Sequence, residues 1–444
     1  MNSLAAPLYH VTVLSNFARA FDKYQRLYPK SAIPESTFPG EFYVLQEGDL
    51  AVGVDKAARL LTKTGFKADR LIALESCLPR NELSENSRTG LGLVWPSPDL
   101  PISRLREINA DGSLGKRISV EEATAESLEL HSASFWDYQK IRPRSLSFLP
   151  IANGCDASCP FCFSNSSVSL DQRQAGLDWP SVEGWIASAA EHGAERAMIT
   201  GGGEPTLLPW PDLVRLVKIC ARVLPKVVLI TNGARLAGLA ASEIASRLKE
   251  LDDAGLSVLA ISRHLSDEAR NTALMRLETQ TPRLLNVYQA SRAALRQLRL
   301  RLICVLQRGG VETVADIEKY MQWVIAHRIE EVCFKELYVS TSRESIYYSR
   351  EANDWSARHQ ISLSRVHEWA QSHSLNVTDR LPWGAPIYSG DVNGGRVRVA
   401  AYTEPSLFWE RLHGVARSWN VMADGRCMAS LEDRQSVVSP NSVR

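Results

Sequence analysis

Cys155, Cys159 and Cys162 fall within eight residues, in the run GCDASCPFCFS over 154–164. Thiolates four and seven positions apart can wrap one metal centre from a single loop, and Gly154 lends the backbone freedom to bend around it. Structural zinc takes four ligands, usually in paired knuckles, and no nearby Cys or His supplies a fourth. A ferredoxin cluster also takes four cysteines, at C-x2-C-x2-C spacing. Core packing is the third reading, but a loop of Gly, Asp, Ser and Pro is a poor place for three packed thiols. A cubane held by three thiolates leaves one iron open, and an open metal position is what catalysis uses.

Thr200, Gly201, Gly202, Gly203, Glu204 and Pro205 form a second feature, directly after a predicted strand. Successive glycines let a ligand approach the main chain closely. The run lacks the G-x-G-x-x-G of a dinucleotide-binding turn. A tight strand-to-helix loop is the plain alternative.

CxxxCxxC with Phe161 before the third cysteine closely resembles the signature of the radical S-adenosylmethionine (SAM) superfamily, and Gly201–Glu204 resembles its GGE-type motif. The resemblance implies that Cys155, Cys159 and Cys162 hold a [4Fe–4S] cluster whose open iron binds the amino and carboxylate groups of SAM. It places Phe161, Gly201, Gly202, Gly203 and Glu204 among the cofactor-binding residues. It also implies reductive cleavage of SAM to methionine and a 5′-deoxyadenosyl radical, with a reducing partner such as flavodoxin or ferredoxin. The resemblance covers about 145–340.

Other residues at predicted strand ends extend this set. Thr231-Asn232-Gly233 resembles a TNG run of the family, with Asn232 a ribose contact or an ordinary Asn-Gly turn. Ser262 and Arg263 stand where the family places groups for the SAM ribose and carboxylate, and a guanidinium suits a carboxylate. His264 reads as a hydrogen-bonding histidine, and Gln307 as a residue facing SAM. Alternation in Val332-Cys333-Phe334-Lys335-Glu336 puts Cys333 and Lys335 on one face. On an inner face Cys333 could donate a hydrogen atom to a substrate radical; otherwise it packs in the core. Cys427 follows an Asp424–Gly425 turn in a run weakly similar to the tail of cyclic-pyranopterin-forming members, but it has no CxxC companion. No auxiliary cluster is expected, and no cobalamin-binding region is evident.

The elements that must position these residues become regular from residue 145. Apolar runs at 146–151, 197–200, 226–231, 257–262, 299–306 and 330–339 alternate with helical stretches near 181–192, 210–223, 241–254, 284–297 and 314–327. Such alternation predicts an α/β fold, a partial (β/α)6 TIM-like barrel of parallel strands with functional loops at the strand C-terminal ends. Residues 1–144 read as an N-terminal α+β domain for substrate recognition, with helical periodicity at 21–27 and 55–66 and strands at 41–45, 50–54 and 70–76. The Pro-, Gly-, Ser- and Asn-rich stretch 79–118 reads as loop or lid, and 263–275 as a polar loop. Residues 346–444 read as a small C-terminal α+β extension closing the barrel, with a helix at 365–373 and a hairpin at Asp424–Gly425. Trp383, Trp409, Arg411, Trp419 and Arg426 are its candidate stacking and anion contacts.

The bulk composition sets the class. Across 444 residues, 45% hydrophobic and 23% charged content match an ordinary globular protein. A net charge of +1 gives no reason to expect nucleic-acid or membrane binding. Eight cysteines without regular pairing argue against a disulfide framework. No signal peptide or membrane span is evident, so a cytoplasmic protein is expected. The expected substrate is a peptide or other natural product, with epimerisation or another maturation as the outcome. A nucleoside, sugar or free amino acid is the alternative, and an iron–sulfur electron carrier or sensor the non-enzymatic one.

Overall fold

In the computed structural model the described residues are 8–14, 26–27, 49–50, 71–76, 84–86, 92–94, 100–101, 104–119, 122–123, 125–126, 138–152, 154–163, 177–340, 345, 347–381, 385–404, 410 and 414–439. In the N-terminal part, β1 (Leu8–Val13), β2 (Leu71–Ser76), β3 (Arg104–Ile108) and β4 (Leu114–Ile118) form an antiparallel sheet in that order. The stretch 79–118 is therefore not one long loop: it holds β3, β4 and the short strands Ser84–Asn86, Gly92–Val94 and Leu100–Pro101. Its turn-forming residues mark short connections, such as the Gly112 turn (φ 86°) between β3 and β4. Arg26 and Leu27, within a run that suggested a helix, pair as a strand with Leu100–Pro101. The expected helix at 55–66 and strand at 41–45 lie outside the described residues.

From Ser145 onward, strands alternate with helices. The strands are β5 (Ser145–Leu149), β6 (Arg196–Ile199), β7 (Val227–Thr231), β8 (Val258–Ser262), β9 (Arg299–Leu306) and β10 (Glu331–Glu336). Between them run α1 (Trp179–Glu191), α2 (Trp210–Val223), α3 (Ala241–Asp253), α4 (Glu268–Met275), α5 (Thr281–Ser291) and α6 (Val314–Ala326). Helix α4 occupies most of the stretch read as a polar loop. Asp267 caps it by accepting from the Arg270 N–H, and the buried side chains Asn271 and Met275 hold it against the barrel.

The C-terminal part continues with α7 (Glu351–His359), α8 (Ser364–Ser372), β11 (Asn376–Arg380), β12 (Pro386–Val392), β13 (Gly395–Tyr402), β14 (Trp419–Met422), β15 (Cys427–Met428) and β16 (Val437–Val438). These strands join the barrel sheet itself. Strand β13 pairs in parallel with β10, and β14 in parallel with β5. The parallel run thus has eight strands, in the order β13-β10-β9-β8-β7-β6-β5-β14. At either edge it turns antiparallel, to β12 and β11 or to β15 and β16. The edge strands β13 and β14 do not pair with each other, so the architecture is a partial TIM-type barrel. The expected hairpin is the β14–β15 pair, with Gly425 at φ 86°.

The outward faces of the strands carry the core. Phe148, Ile199, Leu229, Leu259, Leu302 and Phe334 are nearly or fully buried against the helices. Inward faces are mixed: β9 reads Arg-Leu-Arg-Leu because Leu300 and Leu302 meet the helices while Arg301 faces the lumen. Across the open side, the largely covered Glu404 after β13 accepts from Lys335 of β10 at 2.5 Å and pairs with Arg417 before β14. Burial opposes ionisation of Glu404, but Arg417 and Lys335 outweigh it and hold the carboxyl down at about 2.

Candidate functional site

The first barrel strand delivers the cysteine loop to its C-terminal end, and the second delivers the glycine loop to the same end. The two loops meet main chain to main chain. The Glu204 N–H donates to the Gly154 carbonyl at 3.0 Å. A Cβ at position 203 would lie 2.2 Å from that oxygen, and one at 202 would lie 2.8 Å from the Ile151 carbonyl. Gly202 also has φ 97°, which a side chain disfavours. The glycines are thus required by the approach of two loops.

Glu204 ties in the third strand. Its Oε1 accepts from Thr206 N at 3.0 Å, Thr206 Oγ1 at 2.7 Å and Thr231 Oγ1 at 2.5 Å, and its Oε2 accepts from Asn232 N at 2.9 Å. Burial raises its pKa against the pull of these bonds. Asn232 then reaches the cysteine loop: its Nδ2 donates to Asp156 Oδ1 at 2.5 Å and lies 3.9 Å from Cys155 Sγ. Its Oδ1 accepts from Ala234 N at 2.9 Å, closing an Asx turn. Asn232 thus makes the turn and also lines the cavity.

A cavity of about 510 Å³ runs down the barrel from this end. Cys155, Cys159, Cys162, Phe161, Gly201, Gly203, Glu204, Asn232 and Ser262 all line it. Cys333 does so too, from the inner face of β10, with Lys335 beside it and Phe334 turned into the core. Burial raises the Cys333 thiol, so it stays protonated near neutral pH. Three expected site residues stand apart. Gly202 is spent on the loop contact. Arg263 is fully buried away from the cavity, donating to Leu265 O at 2.6 Å, Ser266 O at 2.9 Å and Glu268 Oε2 at 2.6 Å. It braces the turn into α4. Gln307 is likewise buried outside the cavity, where it bridges to Gln360.

His264 is a hydrogen-bonding histidine, as its place at the strand end suggests. It lines the cavity with its ring edge-on to Phe161 at 5.0 Å, and its Nδ1 accepts from Val305 N at 3.1 Å. That bond places the neutral ring's proton on Nε2. Burial, with Arg263 adjoining, pulls its pKa down to about 3. Tyr402, Glu404 and Arg417 also line the cavity unforeseen. They come from strands whose membership in the barrel periodicity alone did not reveal. Of the tail candidates, Trp419 is core beside Trp185, and Arg426 is held by Asp424 of its own hairpin at 2.7 Å. Trp383, Trp409 and Arg411 lie outside the described residues.

The three thiols are free of disulfides, with Cys155 exposed and the other two half-buried. Burial pushes the Cys155 thiol up to about 11, with Glu204, Asp156 and Cys162 adding to it. It pushes Cys159 up to about 12, with Cys162 and Cys155 adding. Neighbouring thiolates raised in this way coexist only around a compensating cation, as iron supplies. No three His, Cys, Asp or Glu side chains among the described residues converge on a single-ion site. A cubane takes one thiolate at each of three irons, so three spaced soft donors fit it. The fold and site together define a parallel-barrel protein with a three-cysteine loop at the strand ends.

Residues 149–331 match the sequence model of the radical SAM superfamily. The chain carries a radical SAM domain over these residues, and the cofactors of that superfamily of enzymes are a [4Fe–4S] cluster and SAM. No curated protein matches the chain in sequence. Among solved structures it is similar to Streptococcus suis SuiB bound to the precursor peptide SuiA, at 15% identity over 73% of this chain and 67% of that one, with a TM-score of 0.42. It is also similar to anSMEcpe with bound AdoMet, at 14% identity over 65% and 75%, with a TM-score of 0.39. Escherichia coli coproporphyrinogen III oxidase HemN follows at 14% identity over 56% and 54%, with a TM-score of 0.36. No helix among the described residues is long and apolar enough to cross a membrane.

Proposed function

We propose that this protein uses SAM-derived radical chemistry to abstract a hydrogen atom from a peptide or related natural product held in the barrel. The observation that carries this reading is the convergence of Cys155, Cys159, Cys162 and the Gly201–Glu204 loop on one end of the barrel cavity. With cluster and SAM bound, one-electron reduction yields methionine and a 5′-deoxyadenosyl radical. The chain's own residues do the rest. Cys155, Cys159 and Cys162 would hold the cluster, and Glu204 locks the surrounding loops through Thr231 and Asn232. The main chain at Gly201 and Gly203, with Asn232 and Ser262, would border the SAM site, and Phe161 and His264 would wall it. The narrow lumen keeps water from a primary carbon radical.

An elongated substrate is favoured because the cavity follows the strands. From Arg196 at the start of β6 to Thr200 just beyond its end is about 13 Å at ~3.3 Å per residue, room for about three or four extended residues. Cys333 is assigned as a hydrogen-atom donor on that wall. Its protonated thiol would pass a hydrogen atom to a substrate carbon radical, leaving a thiyl radical that one electron from a flavodoxin- or ferredoxin-type reductant and one proton from solvent restore. Anaerobic incubation of reduced, reconstituted protein with SAM tests the core of the proposal: 5′-deoxyadenosine should form. None above background would sink it.

A further inference from the structure

The far end of the cavity has a different chemistry. Arg144, Arg196, Lys226, Arg301 and Arg398 line it where strands β5, β6, β7, β9 and β13 begin, with Glu331 at the start of β10. The carboxylates there are already engaged. Glu331 takes Arg301 at 2.6 Å and also meets Arg299 at 3.5 Å. Asp379 takes Arg398 at 3.3 Å and is mostly exposed. Glu195 meets Arg196 at 3.3 Å and Arg144 at 3.9 Å, but from outside the cavity and largely in solvent.

Two donors are left over. Among the described residues, the Lys226 ammonium makes neither ion pair nor hydrogen bond, and the buried Arg196 Nε has no partner. Burial pulls Lys226 down to about 8, with Arg301 and Arg196 adding to it. Burial and Arg196 likewise bring Arg144 to about 10. Placing half-buried like charges side by side in a lumen is unfavourable unless an anion joins them. A surface charge cluster would be solvated; this one sits on inward-facing strand positions that share one cavity with the cysteine loop.

We infer that the strand N-terminal end of the barrel is an oxyanion subsite, taking a carboxylate or phosphate through Lys226 and Arg196. The inference deepens the proposed function and rests on it in one respect: the anion belongs to the substrate, and its reacting C–H stands at the cysteine end. Lys226 lies six residues from Asn232 along β7, about 20 Å at ~3.3 Å per residue, so anion and reaction centre occupy opposite ends of one elongated molecule.

Calorimetric titration of the reconstituted protein with inorganic phosphate and, separately, glutarate tests the subsite. At least one anion should bind with one-to-one stoichiometry. Its affinity should fall at least tenfold in Lys226→Met and in Arg196→Gln, and recover in Lys226→Arg. A preference for phosphate would assign a phosphoryl group, and a preference for glutarate a carboxylate. Binding of neither anion, or unchanged affinity in both neutral variants of confirmed native circular dichroism, overturns the subsite. The titration involves neither SAM nor reductant, so its outcome is independent of whether SAM is cleaved.

Discussion

Gly203 leaves no room for a side chain, because a Cβ there would sit 2.2 Å from the Gly154 carbonyl oxygen and 2.7 Å from Ile151 Cγ2. Gly203→Ala must push the cysteine loop away from the glycine loop. The expected result is a native far-UV spectrum with at least tenfold less 5′-deoxyadenosine, a loss of ~1.4 kcal/mol or more in transition-state stabilisation. Cys333 makes a separate prediction. In heavy water, wild-type protein should place deuterium in the product and Cys333→Ala should not; unchanged labelling would reduce Cys333 to core packing. His264 predicts a pH effect on stability. Its folded pKa of about 3 lies below the unfolded value, so as pH falls below ~6.5 the unfolded chain takes up a proton that the folded chain refuses. Folding stability should therefore drop by about 2 kcal/mol between pH 7 and 5 relative to His264→Gln. Urea unfolding at the two pH values checks it, and parallel curves for both proteins would refute it.

Strands β13 and β14 are joined by side chains where the ladder is absent. Glu404 carries that junction, bound to Lys335 from β10 and Arg417 beside β14. Removing one partner of a buried ion pair leaves uncompensated charge and costs about 3–5 kcal/mol. Glu404→Gln should thus destabilise the chain by roughly that amount in urea unfolding. A loss below about 1 kcal/mol would place the pair with weak surface bridges. The contribution of Glu404 is present above its unfolded pKa and is lost as pH falls toward its folded value of about 2.

For the whole molecule, one three-cysteine loop predicts one cubane. Reconstituted protein should hold about four irons per chain, and replacing Cys155, Cys159 and Cys162 together by Ala should abolish them. About eight irons would require a second set of ligands. The remaining described cysteines, Cys220, Cys304, Cys333 and Cys427, are buried. Cys220, Cys304 and Cys427 are embedded in the main core and Cys333 alone among them lines the cavity, so they give a second cluster no common site.

The cysteine spacing, the glycine loop and six of the parallel strands were legible from residue order. Their signals are local: ligand arithmetic within eight residues, and apolar runs that alternate with helices of fitting length. The Cys333 and Lys335 face was legible too, since strand alternation is a property of consecutive residues. The tertiary structure alone decided that β13 and β14 extend the barrel, because strand pairing across 67 and 273 positions, as in Phe334 with Ala401 or Leu146 with Trp419, leaves no local mark. It decided which strand-end residues face the lumen: a one-residue difference sends Arg263 into a buried brace and its neighbours Ser262 and His264 to the cavity. It also collected the cations that begin separate strands into one wall. Residue order shows each of them as an ordinary charge at a strand start, and only closure of the sheet brings them together.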